Sequence, residues 1–180
     1  MFAVGTREPE HPSTRCHLTG RQVSVVTALL DFMTTERHLA TIDELCVRDF
    51  PAADGWSDIG AGGPGYHLVV LETTHGSGTG DQGERTEIAH QFIAYREGVS
   101  QRLNERWGQA HPTSLDGVFL RSEDPDEQIP KPWAYLSAYV RYVDLWEADG
   151  TGRWVAVGVS EPREGLEFQL FALVTELAPP

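Results

Sequence analysis

The stretch from Tyr139 to Leu177 restricts the fold more than any other part of the chain. Three segments, Tyr139–Glu147, Arg153–Ser160 and Glu167–Leu177, are rich in Val, Tyr, Trp, Phe and Leu, and turn residues separate them. β-Branched and aromatic side chains suit a pleated, half-buried surface, so the segments predict strands. The first joint holds Asp149-Gly150 and then Gly152, which supply the positive φ values of a tight hairpin. In the second, Pro162 ends pairing and Gly165 reverses the chain. An antiparallel meander follows.

Alternation assigns the faces. Tyr139, Arg141, Val143, Leu145 and Glu147 share one side of the first strand, and Val140, Tyr142, Asp144 and Trp146 the other. Val155, Val157 and Val159 oppose Trp154, Ala156 and Gly158 in the second. In the third, Phe168, Leu170, Ala172 and Val174 oppose Gln169, Phe171, Leu173 and Thr175. Both faces are apolar. One long helix can hide one of them; the other calls for the first helices, a partner chain or a ligand.

Upstream, Val23, Val26, Leu30 and Met33, widened by Leu29 and Phe32, predict a helix over Arg21–Arg37. A second short helix is expected over Thr41–Val47, where Thr41 and Glu44 have capping-box spacing. A pair of this kind can open a helix-turn-helix domain, but Phe50–Gly55 stands where a basic recognition helix would follow. Pro51–Gly65 reads as a glycine-dense loop in which Trp56 either caps the core or faces a ligand, packing beneath the loop being the commoner outcome. The continuous apolar run Leu68–Leu71 makes Tyr66–Thr73 a strand. Over Thr86–Trp107, Ile88, Phe92, Tyr95, Val99, Leu103 and Trp107 keep helical spacing, and Gly108 follows as the cap. This helix is expected to be the main cover of the sheet. Ser114–Arg121 reads as a weaker strand. Trp133–Ala138 is open between a helical turn, for which Pro132 would serve as first residue, and strand.

The resulting fold class is α+β: an antiparallel sheet of about five strands packed against one long helix and two N-terminal helices. Residues 21–180 form one domain after an arm of residues 1–20. The element order is similar to that of NTF2-like and cystatin-like folds. The likeness is one of order alone and carries over no residues.

Charge narrows the function. With 27 acidic and 14 basic residues the formal charge is −13, a field that repels phosphate backbones and argues against nucleic-acid binding by a basic surface. Lys131 is the only lysine, and the abundance of Arg, Gly, Ala, Pro and Val points to a high-GC bacterial genome. The arginines are scattered and suggest no clamp. No apolar run reaches membrane-spanning length and the first residues lack a signal core, so a cytoplasmic protein without membrane contact is expected.

Motifs for chemistry are weak. Gly78, Gly80 and Gly83 satisfy G-x-G-x-x-G between a strand and a helix. However, Asp81, Glu84 and Glu87 stand where a phosphate would lie, and a flexible loop is the better account. His11, Cys16 and His17 lack a fourth ligand, Cys16 and Cys46 form no motif and their pairing is open, and Asp124-x-Asp126 begins a calcium loop without completing it. His90 lacks a second histidine one turn on and reads as a surface or boundary residue. Acid–base work could use Asp144 or Glu147 beside Arg141, Tyr142 or a distant His67, but such pairs usually act as cross-strand salt bridges. No catalytic residue, metal or cofactor is assigned.

These features lead to an expected non-catalytic acidic binding module, an adaptor or immunity-type protein working through protein contacts or self-association. Its candidate binding residues are Tyr142, Asp144, Trp146 and Trp154 on the sheet and Glu123, Asp124, Asp126 and Glu127 in the acidic loop. One alternative is a small-molecule pocket protein or enzyme with Tyr142, Trp146 and Trp154 lining a cavity. The other is a structural subunit of a larger assembly.

Overall fold

The computed structural model describes residues 20–74, 82–148, 150–160 and 167–180, with side chains from Phe32 onward and excluding that of Gln82. The N-terminal arm with Cys16, most of the G-x-G-x-x-G stretch and the Pro162–Gly165 joint fall outside the described residues.

The chain is α+β. Its strands are β1 (Gly55–Ser57), β2 (Gly60–Gly63), β3 (Tyr66–Thr73), β4 (His111–Ser114), β5 (Tyr142–Ala148), β6 (Arg153–Val159) and β7 (Gln169–Thr175). They form one seven-stranded antiparallel sheet in the order β1-β2-β3-β7-β6-β5-β4. The helices are α1 (Gly20–Val47), α2 (Gln82–Trp107), α3 (Asp116–Ser122) and α4 (Lys131–Ser137).

The meander is present as expected, with Gly150 at φ 72° and Gly152 at φ 66° in its first joint. Its register fixes the faces: Val155 pairs Val174 and Val157 pairs Ala172, while Ala156 pairs Leu173 and Gly158 pairs Phe171. The first set joins Trp146, Leu170 and Val69 in a core completed by Leu39, Ile42 and Leu45 of α1 and by Phe92, Val99 and Leu103 of α2. The second joins Val143, Leu145, Tyr66 and Leu68 in a core completed by Leu115 and Val118 from the α3 region and by Trp133 and Leu136 of α4. Gly158 sits where Val140 crosses the sheet; a Cβ there would also meet the Tyr142 carbonyl oxygen at 2.9 Å, so any larger residue overpacks this face.

Several expectations are corrected. The strand count is seven, not about five. The two N-terminal helices are one, because His38 and Leu39 continue the buried stripe and no Gly or Pro interrupts it; Thr41 Oγ1 donates to the Arg37 carbonyl one turn back instead of capping a new helix. Phe32 and Met33, assigned to that stripe, are exposed. The loop over Pro51–Gly65 contains the β1–β2 hairpin, and Trp56 is 80% exposed, so it plugs nothing. Ser114–Arg121 is mainly helix α3, since Leu115 and Val118 are buried at helical spacing, and the strand lies just before it as β4. The ambiguous stretch is α4, with Pro132 in its first turn, where a missing N–H costs nothing. The second sheet face needs no outside cover over its centre, because α3 and α4 pack on it. Among the described residues no helix is long and apolar enough to cross a membrane.

Candidate functional site

The N-terminal half of α2 carries Arg85, Ala89, Ile93 and Arg96 at steps of three and four, so they fall on one stripe. That stripe faces the open ends of β5, β6 and β7 across a cavity of about 450 Å³. Arg141 and Tyr142 close it from the start of β5, and Val159 and Phe168 give it an apolar wall. Three arginines therefore line one hollow with an apolar wall in a chain of charge −13.

Their pairing is unequal. Arg96 Nε lies 3.5 Å from Asp144 Oδ2, is buried and makes no hydrogen bond; the same carboxylate oxygen accepts from Ser100 Oγ at 2.7 Å. Arg141 Nε donates to Asp116 Oδ1 at 3.0 Å. Arg85 has no carboxylate partner among the described residues. Among the described residues the lining itself holds three arginines and no carboxylate, which suits an anion; the apolar wall suits a ligand with a hydrocarbon body. Ser160 Oγ, also at the cavity, accepts from the Gln169 N–H at 2.8 Å and so serves the β6–β7 joint.

The expected binding residues do not assemble as a set. Tyr142 lines this cavity; Asp144, on the same side of the sheet, pairs with Arg96 and lines a separate hollow with Ser100 and Asn104. Trp146 shares that side but is 2% exposed, deep in the core, with Nε1–H donating to Asn104 Oδ1 at 3.0 Å. Trp154 packs against the opposite core. Glu123, Asp124, Asp126 and Glu127 are exposed in the α3–α4 link. An aromatic cavity built by Tyr142, Trp146 and Trp154 is thus excluded by strand alternation. Among the described residues no group of three His, Cys, Asp or Glu side chains is placed to hold a metal. His90 is exposed. Burial, aided by Asp43, pushes the Cys46 thiol up to about 11, so it stays protonated at neutral pH and is a poor nucleophile.

The arginine convergence was not anticipated, since Arg141 is far from α2 in sequence; only the spacing of Arg85, Ala89, Ile93 and Arg96 hints at it. Two histidines are also buried, of which His38 carries no signal in the sequence. His38, 1% exposed, has neither ring nitrogen hydrogen-bonded; Nε2 is 3.4 Å from Glu72 Oε2, which also pairs with Arg37. His67, 3% exposed, packs on Phe50 with Nε2 unpartnered. Burial is the main cause that holds both below the ordinary histidine value of 6.5; at His38 Glu72 opposes it, and at His67 Arg48 and Arg153 reinforce it. A base whose folded pKa is depressed binds fewer protons folded than unfolded. Its stabilising contribution is therefore intact above pH 6.5 and is lost as pH falls below that value. Urea midpoints measured from pH 8 down to 5 should fall on the acid side, by at most about 1.4 kcal/mol per pH unit per histidine. The His38→Gln/His67→Gln variant should show a shallower slope over the same range; an equal slope in both proteins would refute the assignment.

No family model, no curated protein and no solved structure matches this chain, so the functional reading rests on the cavity itself.

Proposed function

We propose that the protein binds a small amphipathic anion, a carboxylate with an apolar body, between α2 and the ends of β5–β7. The observation that carries the reading is the meeting of Arg85, Arg96 and Arg141 around Ile93, Val159 and Phe168 in an otherwise acidic chain. A volume of about 450 Å³ suits a ligand of medium size. Arg96, braced by Asp144, and Arg141, braced by Asp116, are preorganised, so little side-chain freedom is lost on binding.

Titration with decanoate, followed by calorimetry, tests this. A charge-assisted contact contributes about 1.5–3 kcal/mol, so Arg85→Ala and Arg141→Ala should each weaken binding by about tenfold or more. Ala89→Trp, which fills the hollow, should abolish it. Decanoate binding unchanged in the two arginine variants, or absent from the parent protein, would overturn the proposal.

The second reading, contact with a partner protein, loses the open sheet face that motivated it. What favours it now is a tyrosine-lined groove on the α4 side.

A further inference from the structure

We infer that the groove between α4 and the start of β3 docks an arginine-bearing extended segment of another protein. It measures about 510 Å³ and is lined by Tyr66, Ile129, Lys131, Tyr135 and Tyr139. Tyr135 and Tyr139 are one helical turn apart, 51% and 47% exposed, with ring centroids 6.3 Å from each other. Tyr139 in turn lies 5.7 Å from the Phe171 ring, so three aromatic faces run from the helix down to the sheet. Exposed tyrosines held by packing on both neighbours offer flat surface at little entropic cost, and guanidinium groups stack on such faces.

Charge selects the occupant. Ser122 and Ile129 both border this side of the molecule, and between them Glu123, Asp124, Asp126 and Glu127 are exposed without an ion pair among the described residues. The Asp126 N–H donates to Asp124 Oδ1 at 3.0 Å, which orders the link. At the other end Asp54 accepts from the Tyr66 hydroxyl at 3.0 Å and pairs with Lys131. None of the four acids lines the groove itself, but they fill the link between two residues that do, and four carboxylates in five positions suit a peptide carrying several cations better than a single small cation. A second copy of this chain, itself at −13, is repelled by the same field, and a nucleic acid more so.

The test is fluorescence anisotropy with a labelled peptide of about ten residues alternating Arg and Pro, extended in solution, at about 0.15 M salt. The Tyr135→Ala/Tyr139→Ala variant, whose charge is unchanged, should bind at least about tenfold more weakly. Tyr139→Phe should keep most of the affinity, since the ring face is retained. Asp126→Lys/Glu127→Lys, at exposed loop positions, should also weaken binding, and the Glu-Pro counterpart peptide should not bind. Arg85→Ala should leave peptide binding intact, which separates this groove from the α2 cavity. Equal affinity in the tyrosine variant would reduce the interaction to charge attraction alone. Displacement of the peptide by an equal concentration of free arginine would make the groove a small-cation site. Either result overturns the inference, as does dimerisation through this face seen by light scattering.

Discussion

Trp133→Ala should destabilise the protein by about 3–5 kcal/mol in urea unfolding, while Trp133→Phe should cost well under half of that. The indole is fully buried and its Nε1–H donates to the Leu177 carbonyl at 3.0 Å, so one side chain ties α4 to the chain leaving β7. Truncation removes the largest side chain of the α3–α4 core and leaves that carbonyl without its donor, two losses in the same direction. Because α4 is only seven residues long, it has little stability of its own and depends on this packing. Loosening it would uncover Leu173 and Ala156 and scatter Tyr135 and Tyr139, so peptide docking should fall together with the midpoint. A cost below about 1 kcal/mol would mean that α4 does not seal the sheet.

The C-terminal sheet was legible because its signals are local. Val155, Val157 and Val159 alternating in β6, the continuous apolar run of β7, and Gly150 and Gly152 between β5 and β6 specify strand, face and turn within a few residues of each other. The long helix α2 was legible for the same reason, and Gly108 ends it at φ 83° as a left-handed cap should. The misreadings arose where a local pattern had two solutions. Thr41 and Glu44 imitate a capping box, but with no breaker before Thr41 the helix runs on and its hydroxyl bonds backward. In Ser114–Arg121 the residues Leu115, Val118 and Phe119 fit either period, and packing against α4 decides for helix. The β1–β2 hairpin has strands dominated by Gly and Ala, which carry almost no β propensity; pairing with β3 makes it, and the sequence does not announce that pairing.

The candidate sites were less legible than the fold for a related reason. Both the α2 cavity and the tyrosine groove join residues from separate elements: Arg96 with Arg141 and Tyr142, Tyr66 with Lys131 and Tyr139. Their convergence depends on sheet order, β7 lying between β3 and β6, and no short-range spacing encodes that. Composition gave the overall sign of the charge, yet the proposed anion site rests on where three of the arginines fall. An acidic chain can still place three arginines at the lining of one hollow, in contrast to its net charge.

Asn104→Ala is expected to cost about 2–4 kcal/mol, much for a partly exposed polar residue. Its Oδ1 accepts two hydrogen bonds, from Trp146 Nε1 at 3.0 Å and from the Ala110 N–H at 2.8 Å, and its own carbonyl accepts the Gly108 N–H at 3.0 Å. One amide thus fastens the end of α2 to β5 and starts the turn into β4. Both donors served by the side chain are buried, so removal of the acceptor orphans two N–H groups at once, and each such group costs about 1–3 kcal/mol. Water reaching in from the open hollow that Asn104 borders with Gln101 and Gln109 would satisfy part of this, which sets the lower end of the range. A double-mutant cycle separates the two bonds. In a Trp146→Phe background, where the indole donor is gone, Asn104→Ala should cost less by about 1 kcal/mol or more. If the two substitutions simply add, the indole bond contributes nothing and Trp146 is held by packing alone.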